Sequence, residues 1–196
     1  IIDIIEDNKD NEQSLIELCN FIFDIASTNK FYSELYAHLY NDLLKSYNLL
    51  DNIFRTSFNE YIKLFDNIEA CSPNDDYDLF CRINKINEKR RAMSIFIVNL
   101  MKKEIITTNQ VIDIIIHLQD IVDDDLNNES MRIKIEEICE NIFLIYTHSY
   151  NEIKEMKEFN DLFTSINNIT KLDIKQNKGI GNKVKFKYMD MIEFKT

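Results

Sequence analysis

Apolar residues recur at three- and four-residue intervals along nearly the whole chain, the period of an amphipathic helix. Leu15, Leu18, Cys19, Ile22 and Ala26 share one face of a first helix over about 11–27, and Asp10 with Gln13 has the form of a capping box at its start. Leu35, Tyr36, Leu39, Tyr40, Leu43 and Leu44 make the stripe of a second helix. Phe54, Phe58, Tyr61, Ile62 and Phe65 make that of a third, over about 52–68. The stretch CSPNDDYD at 71–78 holds the single proline and a group of acids, and reads as a loop.

The pattern then resumes. A long fourth helix is predicted over about 78–104, polar in its first half and apolar in its second, MSIFIVNLM. Thr107 and Gln110 form a second capping-box pair and open a fifth helix carrying Val111, Ile114, Ile115, Leu118 and Val122. Asp123, Asp124 and Asp125 read as a solvated turn, because they lack the glycine and alternate spacing of a calcium loop. A sixth helix over about 128–147 turns Ile135, Ile138, Ile142 and Ile145 inward. A seventh over about 152–170 uses Met156, Phe159, Phe163, Ile166 and Ile169. A lysine-rich loop with Gly179 and Gly181 leads to an eighth helix, with Asn182 as its expected N-cap.

Eight helices with short links imply an all-α chain of 196 residues in a single domain. Their pairing, over about 10–49, 52–104, 107–148 and 152–195, has the period of an α-solenoid of antiparallel helix pairs; a globular bundle is the other arrangement the pattern allows. Composition agrees: with 2 Gly and 1 Pro the chain lacks the turn residues that a sheet protein needs.

Charge and chemistry narrow the function. The formal net charge of -11 argues against broad, sequence-independent nucleic-acid binding. It leaves room for a local basic patch, and Lys175, Lys178, Lys183, Lys185 and Lys187 crowd the last helix and its approach. Cys19, Cys71, Cys81 and Cys139 form no CxxC pair and no zinc spacing, so no metal is expected, and Cys19 and Cys139 fall on apolar stripes as small buried residues. A reducing, cytoplasmic setting is expected. His38, His117 and His148 are scattered singly, GIG at 179–181 is too short for a phosphate cradle, and no acid pair calls for a reaction. The residues thus point to a binding or scaffold protein with no catalytic residue and no cofactor. The chain opens on Ile1, which reads as a fragment or a processed chain.

Several segments carry a resemblance. FYSELYAHLYNDLL at 31–44 resembles the second helix of the second repeat in the middle domain of eukaryotic translation initiation factor 4G. NIFRTSFNEYIKLF at 52–65 is similar to that domain's next helix, and EKRRAMSIFIVNLMKKEIIT at 88–107 to its arginine-led helix with a Thr cap. NKVKFKYMDMIEFK at 182–195 is similar to its closing helix. The resemblance implies HEAT-like repeats, with this chain spanning repeats two to five and residues 1–9 the stub of the first. It implies a translation-initiation scaffold that binds the DEAD-box RNA helicase initiation factor 4A within a larger initiation complex, with RNA as a further partner. The same family fold occurs in nonsense-mediated decay adaptors, a splicing factor, the nuclear cap-binding complex and poly(A)-binding-protein partners, which stand as the alternative.

On a wheel of about 100° per residue, Val184, Tyr188, Met191, Ile192 and Lys195 fall in one arc of the last helix. Phe186 lies nearly opposite, on the side of Lys183, Asp190 and Glu193. A phenylalanine among charges reads as an exposed anchor, unless a neighbouring helix covers it. The resemblance gives the closing-helix phenylalanine a part in helicase binding, and the candidate helicase contacts are Phe186, Lys183, Lys185 and Asn182. Lys175, Lys178, Arg90 and Arg91 are candidate RNA or partner contacts. A purely architectural or RNA-binding solenoid is the second functional class.

Overall fold

The computed structural model describes Asp3, Glu6, Asp7 and residues 11–47, 50–65, 68–69 and 71–194, with the side chains at 27, 28, 53, 57, 60–62 and 65 left aside. Asp10, Lys195 and most of the expected 1–9 stub lie outside the described residues, and the side chains of Tyr61, Ile62 and Phe65 are among those left aside. The described chain is all-α, without strands. Its helices are α1 (Glu12–Thr28), α2 (Ser33–Ser46), α3 (Leu50–Ile62), α4 (Tyr77–Lys102), α5 (Thr108–Asp124), α6 (Arg132–Ile153), α7 (Phe159–Lys171) and α8 (Asn182–Glu193).

Local signals explain where the helices begin. Asn11 caps α1, its side chain accepting from the Ser14 amide at 3.2 Å. Asp76 caps α4 after the turn at 73–75, accepting from the Leu79 amide at 2.9 Å. Thr107 and Gln110 close a reciprocal capping box on α5, at 3.2 Å and 2.9 Å. α4 ends in a different way: Glu104 stands at φ 60. The Ile105 and Glu104 amides bond back to Leu100 and Met101 at 3.0 Å and 2.8 Å. This is a Schellman closure built without the usual glycine.

The helices pack as neighbours. α1 lies against α2, α3 and α4; α5 against α6 and α7; and α7 against α8. The even-numbered helices follow one another in an unbroken row, α2 on α4, α4 on α6 and α6 on α8. Two aromatic clusters sit along the core. Phe23, Tyr40, Phe54 and Phe96 join the first four helices, with ring centroids 5.1 Å apart for Phe23–Tyr40 and 5.7 Å for Phe23–Phe96. Tyr146, Tyr150 and Phe159 join α6 to α7, and Phe194, just past α8, packs on Tyr150 at 5.6 Å. The second half of α4 is buried on nearly every side because α1, α2 and α6 all lean on it, whereas only Ile83 is buried in its first eight residues.

A polar latch crosses the α4–α6 contact. The buried Ser94 hydroxyl donates to Asn141 Oδ1 at 2.8 Å, and Asn141 Nδ2 donates to Glu137 Oε1 at 3.1 Å. Glu137, itself buried, takes both guanidinium arms of Arg91, with Nε at 3.0 Å from Oε1. Each buried acceptor therefore has a donor, as a low-dielectric interface requires.

Some expectations need correction. Leu35 is 62% exposed, because α2 turns Ser33, Ala37, Tyr40 and Leu43 inward instead. α3 stops at Ile62 and gives way to a 3-10 turn at Lys63–Phe65. α6 runs six residues beyond the expected end near Thr147, since Ser149 and Ile153 continue its buried face; α7 correspondingly starts at Phe159, and Met156 lies in the intervening turn. Asp123 and Asp124 are not a solvated turn but the last residues of α5.

Glu137→Ala removes the centre of the latch. Arg91 is part-exposed and can reach water, which limits the loss. The expected cost is about 1–3 kcal/mol, read as a lower urea midpoint with unchanged slope. Burial pushes the thiols of Cys19 and Cys139 above their ordinary range. Native protein at mild alkaline pH should therefore release only the part-buried Cys71 and Cys81 quickly to a thiol reagent, and all four cysteines after denaturation.

Candidate functional site

α8 is positioned by the loop that precedes it. Asp173 organises the start of that loop, its carboxylate accepting from the Lys175 amide at 2.9 Å and its carbonyl from the Gln176 and Asn177 amides, both at 3.0 Å. The Gly179 amide then donates to the Leu126 carbonyl at 2.8 Å, which docks the loop on the end of α5. A Cβ on Gly179 would lie 2.3 Å from the Asp125 carbonyl oxygen, so the approach of the two backbones requires glycine. Ile180 is buried, and α8 begins immediately afterwards. Its N-cap is Gly181, not Asn182. Arg132 packs so closely on Gly181 that an added Cβ would stand 2.5 Å from Nη2, and Asn182 is left as the exposed first helical residue.

The inward face of α8 consists of Val184, Tyr188 and Met191, with Ile192 partly buried beside them. The Tyr188 hydroxyl donates to Gln119 Oε1 at 2.7 Å, and burial raises its pKa well above the ordinary value, so it remains a donor. Gln119 Nε2 continues the chain to Asp123 Oδ1 at 3.0 Å, and the Ser165 hydroxyl reaches the other Asp123 oxygen at 2.7 Å. One row of hydrogen bonds thus ties α8 and α7 to α5.

The outward face carries Phe186, 61% exposed, and Met189, 39% exposed. They stand one turn apart on the same face. Asn182, Asp190 and Glu193 are exposed around them. Sequence reasoning missed Met189, although the same wheel that placed Phe186 puts it about 60° away.

The lysines beside this face are engaged. Lys183 lies 3.6 Å from Glu136 and 3.8 Å from Glu140 on α6. Lys187 lies 3.1 Å from Glu140 and over the Phe143 ring at 4.3 Å. Lys185 donates to the Leu172 carbonyl at 2.9 Å, closing the end of α7. Lys178 sits 3.6 Å from Glu129, while Lys175 is exposed. Lys183 and Lys185 therefore hold α8 against its neighbours as well as bordering Phe186.

The two arginines are different again. Arg90 is 2% exposed, and its Nε donates to the Leu64 carbonyl at 3.0 Å. It is a strut between α4 and the turn at Lys63–Phe65, which corrects its place among the candidate contacts. Arg91 is part-exposed but bound to Glu137 in the latch, and it borders the same cavity as Glu140, the partner of Lys183 and Lys187. The structure brings Asn182, Lys183, Lys185 and Phe186 together on α8 and places both arginines on α4.

No helix among the described residues is long and apolar enough to cross a membrane, and those residues hold no cluster of ligand-type side chains that could bind a metal. Compared with protein-family models and with curated proteins, the chain matches none.

The two glycines give a direct test of how α8 is held. Gly179→Ala meets fixed backbone and should cost about 1–3 kcal/mol in thermal or denaturant unfolding. Gly181→Ala meets only the movable end of Arg132 and should stay within about 0.5–1 kcal/mol of the parent.

Proposed function

We propose that the chain is an α-solenoid scaffold of translation initiation, resembling the middle domain of initiation factor 4G, and that the outward face of α8 docks a DEAD-box RNA helicase of the initiation factor 4A kind. The observation that carries the reading is the exposure of Phe186 with Met189 on a helix whose opposite face buries Val184, Tyr188 and Met191. Adjacent exposed apolar side chains on a rigid helix are the kind of anchor that partner proteins use. The row formed by α2, α4, α6 and α8 supports the solenoid reading, because repeated helix pairs stack in that manner.

The proposed contact is apolar at its centre and charged at its rim. Phe186 and Met189 supply the anchor. Asn182, Asp190 and Glu193 offer polar groups, and Lys183 sits at the border with its charge already shared with Glu136 and Glu140. Pairing of Lys183, Lys185 and Lys187 within the chain gives protein docking more weight than RNA binding at this face, since RNA contact depends on cations free to meet phosphate. The helicase performs the chemistry in this reading, and the chain holds it.

Phe186→Ala should weaken binding to initiation factor 4A by about 2 kcal/mol and change folding stability by no more than about 0.5 kcal/mol. Calorimetric titration and a melting curve read both quantities on the same samples. A melting temperature lowered by many degrees, or an unchanged affinity, contradicts the docking role.

A further inference from the structure

A second surface lies away from the outward face of α8, in the groove between α5 and α7. Two cavities follow it, of about 260 Å³ and 450 Å³, and they share Asp123, Asp161 and Ser165, so they form one continuous trough. Its floor is apolar where the part-exposed Ile116, Leu126 and Leu172 reach the surface, with Leu162 and Ile169 buried beneath them. Its walls carry Asp120 and Asp123 from α5, Glu158 just before α7 and Asp161 from its first turn. No lysine or arginine lines it.

The carboxylates are poorly neutralised. Asp120 and Asp161 are exposed, and neither takes part in an ion pair among the described residues. Both oxygens of Asp123 accept from neutral donors, Gln119 and Ser165, so that carboxylate is fixed in place with its charge uncompensated. Only Glu158 has a cation, its exposed neighbour Lys157 at 3.3 Å. α5 contains Asp113, Asp120, Asp123 and Asp124 and no lysine or arginine. An apolar floor between two acidic walls, each with carboxylates one helical turn apart, is complementary to one kind of occupant. Such an occupant has aliphatic side chains along one stripe and cations at three- or four-residue spacing on either side.

We propose that the α5–α7 groove is a docking site for a lysine- or arginine-bearing amphipathic helix of a partner protein. The aliphatic stripe rests on the part-exposed Ile116, Leu126 and Leu172, and the flanking cations pair with Asp120, Asp123 and Asp161. The hydrogen-bond row from Tyr188 through Gln119 and Asp123 to Ser165 keeps the two walls at fixed spacing, so little ordering is needed when the helix arrives. This site is independent of the helicase reading of α8 and uses none of its residues as direct contacts.

The test uses a fluorescein-labelled synthetic peptide with Leu and Lys at helical spacing, a scrambled peptide of identical composition, and fluorescence anisotropy. The double variant Asp120→Asn/Asp161→Asn should lose roughly tenfold in affinity for the amphipathic peptide. Asp42→Asn/Asp75→Asn removes the same net charge at exposed positions off both groove helices and should lose little. Asp120→Glu/Asp161→Glu keeps the charge and should retain most of the binding, with melting curves confirming that all variants fold. Weak binding of the scrambled peptide supports the apolar floor. Equal losses in both neutralised variants, equal binding of the scrambled peptide, or no binding to the parent protein overturns the proposal.

Discussion

The arrangement depends on how α6 is held. On one side it joins α4 through the latch of the buried Ser94, Asn141 and Glu137 with the part-exposed Arg91. On the other side Glu136 and Glu140 receive Lys183 and Lys187 from α8. α6 is therefore a strut between the amino-terminal helices and the closing one. A buried carboxylate such as Glu137 is tolerated only where its donors are in register, so the latch fixes the rotation of α6 against α4 as well as their distance. That rotation decides which residues of α6 meet α8, and through them which residues of α8 face outward.

The site follows from this constraint. With α8 clamped by lysines at its flanks and by Val184, Tyr188 and Met191 beneath, Phe186 has no route to the core. Its exposure results from the packing of the other faces and does not require a loop to hold it out. The Gly179 contact with the end of α5 and the Tyr188–Gln119 bond add two fixed points, so the outward face is presented on a rigid element. Rigidity matters for docking because a preformed surface loses less freedom on association.

Much of this was legible in the sequence because helical period and caps are local signals. Thr107 and Gln110 announced α5, and the split of Val184 and Tyr188 from Phe186 was visible at about 100° per residue. What was not legible depends on neighbours far along the chain. Arg90 and Arg91 are adjacent and alike in sequence, yet one is buried against the Leu64 carbonyl and the other meets Glu137. Leu35 belongs to an apolar run, but Ser33 takes the inward place because its hydroxyl accepts from Asn99 at 2.9 Å. The ends of α6 and α7 shifted because Ile153 finds a buried site that no local signal records. Lys178, Lys183 and Lys187 looked like a free basic patch only because their acidic partners, Glu129, Glu136 and Glu140, lie about 40–50 positions away on other elements.

The most direct test of the central claim is side-chain oxidative footprinting of the chain with and without initiation factor 4A. The account predicts that Phe186 and Met189 lose labelling when the helicase is added, while the exposed Phe31 and Tyr77 keep theirs. Unchanged labelling of Phe186 and Met189 at helicase concentrations that saturate binding, or the absence of any binding, would contradict it.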